Sequence, residues 1–337
     1  MAALVHGRAA PGAARVNVGL LVPAAAAHLD LHGRRIAVAT DRPDLDALVR
    51  EQWGRYVIAG AAPHAGLDAV FHVADGGHAR VREWQFFNNG QILVIADDRR
   101  LITASFHQRP WQVHIQTFGQ TDRDAYYYLL EPILLMVLAR LNLLHWHSAA
   151  VALDHAGVLI VGVSGSGKST TTLNLLRAGF AFVADDEVFL ERRDAGVAAI
   201  GIDTSLYATD RTLAMYPELA DLQSAPQVPR GQGLKRQVPV RDRYRGHAGD
   251  PPTVRAVLFP TVVPDAPTAL QPIGAADVVR RFLTHTPKEY PTLVTDAAAA
   301  QARLDTFAAL ATGARGFEVT LGRDADRLPD LVKAYLR

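Results

Sequence analysis

Residues 157–191, GVLIVGVSGSGKSTTTLNLLRAGFAFVADDEVFLE, carry the reading on which the rest depends. The apolar run 158–161 reads as a buried strand. The pattern G-x-x-x-x-G-K-[ST] follows at 162–169. Polar and apolar residues then alternate at helical spacing over 170–177, and Ala178-Gly179 ends the turn. A second apolar run, 180–184, leads into the paired acids Asp185 and Asp186. Strand, glycine loop, helix, strand, acids is the order that nucleotide-phosphate chemistry requires. Gly162, Gly165 and Gly167 permit backbone angles that a side chain forbids. The N–H groups from Gly162 through Val163, Ser164, Gly165, Ser166, Gly167, Lys168, Ser169 and Thr170 can then turn toward phosphate oxygens. The helix that starts near Lys168 adds unpaired N–H groups and a positive dipole end. Lys168 brings a full charge to the outer phosphates, and the Ser169 hydroxyl is placed to ligate magnesium. Asp185 and Asp186, at the end of what reads as the strand neighbouring the one that feeds the loop, can serve the metal and act as a proton acceptor. A chance glycine-rich turn is the bland alternative, and the strand–loop–helix context argues against it.

At 337 residues the chain has room for two domains, or for one with a large extension. Hydrophobic residues at 49% and charged residues at 20% fit a soluble globular protein. A net charge of +1 gives no footprint for nucleic acid or for a polybasic membrane anchor. With no cysteine, disulfides, thiolate metal sites and cysteine nucleophiles are excluded. The start, MAALVHGRAAPGAARV, lacks a continuous apolar core, so the expectation is a disordered tail over 1–16 rather than a secretory signal. The greasiest stretch, 132–144, contains Arg140 and is too short to span a bilayer. A cytoplasmic protein is the default.

Residues 17–120 read as a smaller β-rich N-terminal domain: VNVGLLV, RIAVAT, YVIAG, AVFHVA, QILVIAD, LITASF and WQVHIQTF are short Val/Ile-rich runs between turn residues. Asn89-Gly90 reads as a hairpin turn, and a short helix is expected over 45–53. His72, His78, His107 and His114 are scattered and read as ordinary surface or half-buried histidines. Residues 121–145 read as a helical connector, kinked or split at Pro132. His147 opens an alternating run, HSAAVAL, which His155-Ala156-Gly157 turns back into the strand feeding the glycine loop. Further on, 204–218 reads as a helix near the site. The Pro/Gly/Arg-rich run 224–252, with Lys235, Arg236, Arg241, Arg243 and Arg245, reads as a mobile surface loop or a lid. A core strand is expected at 254–260, helices at 275–285, 296–312 and 328–337, and an edge strand at GFEVTLG.

The segment 147–186 resembles the catalytic domain of the HPr kinase/phosphorylase family and related serine kinases. The shared features are a histidine opening a strand pair (His147), a loop of form GxSGxGKS (162–169) and a strand ending in ADD (184–186). The resemblance implies an α/β fold, an HPr kinase/phosphoenolpyruvate carboxykinase-like P-loop catalytic domain over 146–337. It also implies an ATP- and Mg²⁺-dependent phosphotransferase. In that family's terms Asp185 would be the base, Asp186 and Ser169 would hold magnesium, Lys168 would contact the phosphates and His147 would sit beside the transferred group. The chain departs from the pattern in two places. Thr170 stands where an acid is usual, and VAAIGIDTS (197–205) offers only Asp203 where the family has a metal-binding glutamate.

The function expected from this is transfer of the γ-phosphoryl group of ATP to a serine or threonine hydroxyl of a peptide or protein. Relatives with this shorter pattern include kinases of lasso-peptide precursors. A small hydroxyl compound such as free serine, a reverse phosphorylase reaction, and a non-catalytic ATP-binding sensor stay open beside it. HPr kinases form hexamers, so a homo-oligomer fits the resemblance. Neither nucleic acid nor a membrane is an expected partner.

Overall fold

The computed structural model describes residues 26–59, 66–77, 84–201, 205–230, 233–244, 249–285 and 296–336. The expected tail 1–16, the run VNVGLLV, His78, Asp203 and Arg245 lie outside them. Two compact units result, Met1–Trp84 with Ile95–Asp122, and Gln85–Val94 with Arg123–Arg337.

In the first unit β1 (Ala27–Leu31) and β2 (Arg34–Thr40) form a hairpin through His32 and Gly33, both at positive φ (53° and 85°). Such a two-residue turn matches the twist of its strands. Helix α1 (Pro43–Trp53) starts on a proline, where the missing N–H costs nothing, and buries Leu45, Val49 and Trp53. It packs on β1 and β2. Strand β3 (Ala69–Asp75) follows. Next in the chain come β4 (Gln85–Asn88) and β5 (Ile92–Ala96), joined through Asn89 and Gly90 (φ 86°). Then come β6 (Arg100–Ser105) and β7 (Trp111–Thr117). Strands β2, β3 and β7 run parallel, and β6 lies antiparallel to β7. The expected strand YVIAG is instead a 3₁₀ turn, Gly54–Tyr56, followed by one bridge from Val57 to Leu29. His72 and His114 prove to be cross-strand partners whose rings stack at 4.8 Å.

The helical run of the second unit passes through a π-helical turn, Tyr126–Leu130, into α2 (Glu131–Arg140). Glu131 N–H reaches back to the Tyr126 carbonyl, an i→i−5 bond. Pro132 next to it has no N–H to give, so the ladder widens here instead of breaking.

The remaining strands form one nine-stranded sheet and one small one. Strand β8 (Leu144–Trp146) leads to the hairpin β9 (Ala149–Leu153) and β10 (Ala156–Ile160), as the alternation of HSAAVAL predicts. After β10 come the glycine loop, α3 (Lys168–Arg177), β11 (Ala181–Ala184), β12 (Val188–Arg193) and β13 (Gly196–Gly201). The chain continues through β14 (Leu206–Ala208), β15 (Gln227–Arg230), β16 (Gly233–Val238), β17 (Thr253–Val262) and β18 (Ala269–Ile273). It closes with α4 (Ala275–Thr284), α5 (Ala297–Gly313), β19 (Arg315–Leu321) and α6 (Leu328–Leu336). Strands β10, β17 and β19 are parallel neighbours; β10 and β17 carry the longer apolar runs, whereas β19 alternates buried Phe317, Val319 and Leu321 with half-buried Glu318 and Thr320. Leu173 and Leu176 of α3 and Leu328 and Val332 of α6 join one core with Val158, Ile160, Leu258, Phe317 and Val319. A second aromatic core stacks Phe282 of α4 on Phe307 of α5 at 4.6 Å, with Trp146 against Phe307 at 4.8 Å.

Four expectations need correction. Strand β19 pairs with β17 and with β18, so GFEVTLG is interior; the short β18, with its proline and polar residues, is what hid its other side. Strand β11 pairs with β9, not with the strand that feeds the loop. The stretch 204–218 is not a helix: β14, a short helix Asp210–Leu213 and a 3₁₀ turn from Pro217 share it, because Thr209 caps the short helix through Thr212 N–H. The basic run is not irregular either, since β15 and β16 pair as a hairpin and β16 pairs with β14.

Candidate active site

The glycine loop leaves the C-terminal end of β10 and re-enters the fold as α3. Val163, Ser164 and Gly165 form its exposed tip, and Gly165 and Gly167 take φ of 82° and 105°. A Cβ on Gly167 would meet Leu321 Cδ1 at 2.5 Å, and one on Gly162 would meet Ser166 Oγ at 2.4 Å. Gly167 therefore requires glycine for its backbone angle, whereas a side chain at 162 would force the Ser166 hydroxyl aside. Lys168 is buried and donates to the Gly162 carbonyl at 2.7 Å, with the Val163 carbonyl at 3.4 Å. Burial lowers its pKa, opposed by the nearby Asp186 and Asp185.

The two acids lie just past β11, in different environments. Asp185 is buried; its Oδ2 accepts from Tyr207 N–H at 3.1 Å, and its Oδ1 has no hydrogen-bond partner. Burial first, and then the Asp186 charge, push its pKa up to about 7. Asp186 sits at φ 65° in the middle of a three-residue turn closed by Glu187 N–H on the Asp185 carbonyl at 2.8 Å. That region is strained for a residue with a Cβ, though Asp tolerates it better than most. Burial alone would raise Asp186, but Lys235, His147 and Lys168 outweigh it and hold the carboxyl below its usual range. Lys235 Nζ stands 3.3 Å from its Oδ2 and His147 Nε2 3.8 Å from its Oδ1.

Tyr207 ties the halves together through its backbone: its N–H serves Asp185, and its carbonyl accepts from Ser169 Oγ at 3.4 Å. The Thr170 carbonyl accepts from Tyr216 Oη at 3.0 Å, which docks α3 onto the segment after β14. His147, Lys168, Ser169, Asp185 and Asp186 are thus gathered around the start of α3 and the end of β11, whereas the tip residues Val163–Gly165 are exposed. Two contributors escaped the sequence reading. Lys235 was read only as one member of a basic run, and what brings it to Asp186 is the pairing of β16 with β14. Gly201 has no reactive group, yet a Cβ there would overlap the Val183 carbonyl at 1.8 Å, so its absence lets β13 pass against the strand that delivers Asp185.

The donor set suits a hard cation and a polyphosphate. Among the described residues no cluster of three or more His, Asp or Glu is arranged for a metal. Mg²⁺ needs no such cage, because it binds through one or two carboxylates plus phosphate oxygens and water. Buried Ser166 Oγ and Asp185 Oδ1 both lack hydrogen-bond partners, as groups awaiting a polar ligand do. A groove of about 1150 Å³ lies elsewhere, lined by residues such as Ala156, Thr253 and Arg315 at the starting ends of β10, β17 and β19.

With this geometry in view, the match to known proteins is specific. Residues 140–206 match the family model described as HPr Serine kinase C-terminal domain. Over that segment the chain is similar to the HPr kinase family. Among solved structures it is similar to the Hpr(Ser) kinase/phosphatase from Coxiella burnetii, at 14% identity over 57% of this chain and 93% of that one, with a TM-score of 0.28. No curated protein matches the chain. Among the described residues, no helix is long and apolar enough to cross a membrane.

Proposed function

We propose that this protein is an ATP- and Mg²⁺-dependent kinase that phosphorylates a serine or threonine hydroxyl of a peptide or protein, with 146–337 as its P-loop catalytic domain, working in the cytoplasm. The observation that carries the reading is the convergence of Lys168, Asp185 and Asp186 at the mouth of the glycine loop, inside the segment that matches the family. The loop amides and Lys168 would hold the β and γ phosphates, and Ser169 and Asp186 would hold magnesium. Bound Mg–ATP supplies the phosphoryl group and the cation that shares its charge. Asp185 would take the proton from the acceptor hydroxyl at its unpartnered Oδ1. The acceptor oxygen then bonds to the γ-phosphorus, and the bond to the β-phosphate oxygen breaks to release ADP. A base needs a free lone pair within reach of the proton it takes, and the unpartnered Asp185 Oδ1 offers one. His147 would stand beside the transferred group. Positioning and charge supply most of the catalysis in such transfers.

The test is transfer of label from γ-labelled ATP in Mg²⁺, comparing wild type with Asp185→Asn on a panel of hydroxyl-bearing peptides and free serine. Label on a peptide with wild type alone supports the reading. Label on free serine moves the acceptor to small molecules. ATP binding without transfer to any acceptor supports a sensor, and folded protein that does not bind ATP refutes the proposal.

A further inference from the structure

The site holds two ammonium groups, Lys235 at 3.3 Å from Asp186 Oδ2 and Lys168 at 2.7 Å from the Gly162 carbonyl. Both Asp186 oxygens already have a nitrogen neighbour, His147 Nε2 at 3.8 Å and Lys235 Nζ at 3.3 Å. The strand that carries Lys235 is paired with β15 and β14 and is pinned just after the lysine. Next to it Arg236 Nε binds Asp210 at 2.6 Å, and one residue further Gln237 Nε2 binds Ser205 Oγ at 2.6 Å. Asp210 is itself held by Gln227 at 2.9 Å, across the hairpin. The strand is therefore fixed, while the lysine head rides on a flexible four-carbon stem and can change partner. Lys168 is engaged with the loop carbonyl. Lys235 is the cation whose present partner is the carboxylate assigned to the metal.

We infer that Lys235 is an exchangeable counter-ion: it competes with a divalent cation for Asp186 and, once displaced, binds the terminal phosphate of the nucleotide. The inference rests on the kinase reading above and adds to it a group that tells ATP from ADP. A cation coordinating Asp186 at about 2 Å cannot sit beside an ammonium on the same carboxylate without strong repulsion. The released ammonium has a new anion within reach, because the terminal phosphate brings its charge into the same space.

The experiment uses the full chain and two binding measurements that need no turnover. Mg²⁺ alone is titrated calorimetrically into wild type, Lys235→Met and Lys235→Arg, and ATP and ADP are then titrated in saturating Mg²⁺. Lys235→Met should bind Mg²⁺ about 10-fold more tightly, because a competing charge is gone. It should also lose about 10-fold of the preference for ATP over ADP. Lys235→Arg should keep that preference, which a merely structural role would not separate from Met. Unchanged or weaker Mg²⁺ binding by Lys235→Met overturns the inference, as does an unchanged ATP preference. Wild type that binds ATP while the Met variant is silent leaves the kinase reading standing without this addition. Folded wild type that binds no ATP overturns both.

Discussion

Arg140 and Asp296 form a buried pair, 7% and 0% exposed, and breaking it should be the costliest single polar change in the second unit. Asp296 Oδ1 accepts from Arg140 Nε at 3.0 Å and from Ala299 N–H at 2.7 Å. Its Oδ2 accepts from Arg140 Nη2 at 2.6 Å and Asn88 Nδ2 at 3.1 Å, while both Arg140 Nη atoms reach the Gly90 carbonyl at 3.1 Å. One carboxylate therefore caps α5, neutralises α2 and holds the β4–β5 turn. Removing one partner of a buried pair costs about 3–5 kcal/mol, and losing the cap adds about 1. Asp296→Ala should lose about 4–6 kcal/mol, a large share of a typical folding free energy. A cycle of Arg140→Met, Asp296→Asn and the double variant is gentler, since Asn keeps the cap. The double variant should be at least about 2 kcal/mol more stable than the summed single losses predict. Urea unfolding followed by circular dichroism measures this, with hydrogen exchange of the α5 amides as a local check. Burial would raise Asp296, but Arg140 and the Ala299 N–H hold its pKa low, so the pair's contribution is present above the usual carboxylate value of 3.8 and fades as pH falls below it. Additive losses to within about 0.5 kcal/mol would show that charge pairing is not what holds these elements.

Lys168→Met should cut phosphoryl transfer on the order of 10²–10³-fold, with circular dichroism unchanged, because the side chain removed is charged and its neighbours are loop carbonyls. Gly201→Ala should destabilise by about 1–3 kcal/mol in thermal unfolding, because its Cβ meets the Val183 backbone rather than a side chain that can swing aside. It should also weaken transfer by displacing Asp185, and a fully active variant would refute that link. His145 is buried against Phe189, and burial first, then His147, brings its pKa down to about 4 from 6.5. The unfolded chain therefore binds the extra proton between those values, so stability is complete above 6.5 and falls as pH drops toward 4. About 2 kcal/mol should be lost from pH 7.5 to 5, and His145→Gln should flatten that slope in urea midpoints.

What the sequence made readable was local. The glycine pattern, the apolar run before it and the ADD terminus are contiguous, so strand, loop, helix and acids could be read with no knowledge of distant pairing. The hairpin β9–β10 was legible for the same reason, since alternation and a two-residue turn are short-range signals. Strand order was not. Nothing in residues 180–184 says that β9, rather than β10, lies beside them, because all three segments are short, apolar and equally able to pair. β19 looked like an edge for a related reason: its partner β18 contains Pro272 and Gln271 and does not read as a strand alone.

The basic run shows the same limit at the site itself. Proline, glycine and arginine over 224–252 are the composition of a loop, and composition cannot register that Leu206, Tyr207 and Ala208 supply an edge for β16 to join. Once that edge exists, alternation fixes the outcome. Arg236 reaches Asp210, Lys235 reaches Asp186, and a one-residue slip would exchange the two faces and take the ammonium from the acid. The charge balance of the site therefore depends on the register of a strand whose lysine lies 49 residues along the chain from Asp186. That is why Lys235, the residue that most alters the reading of Asp186, is the one that no local motif could announce.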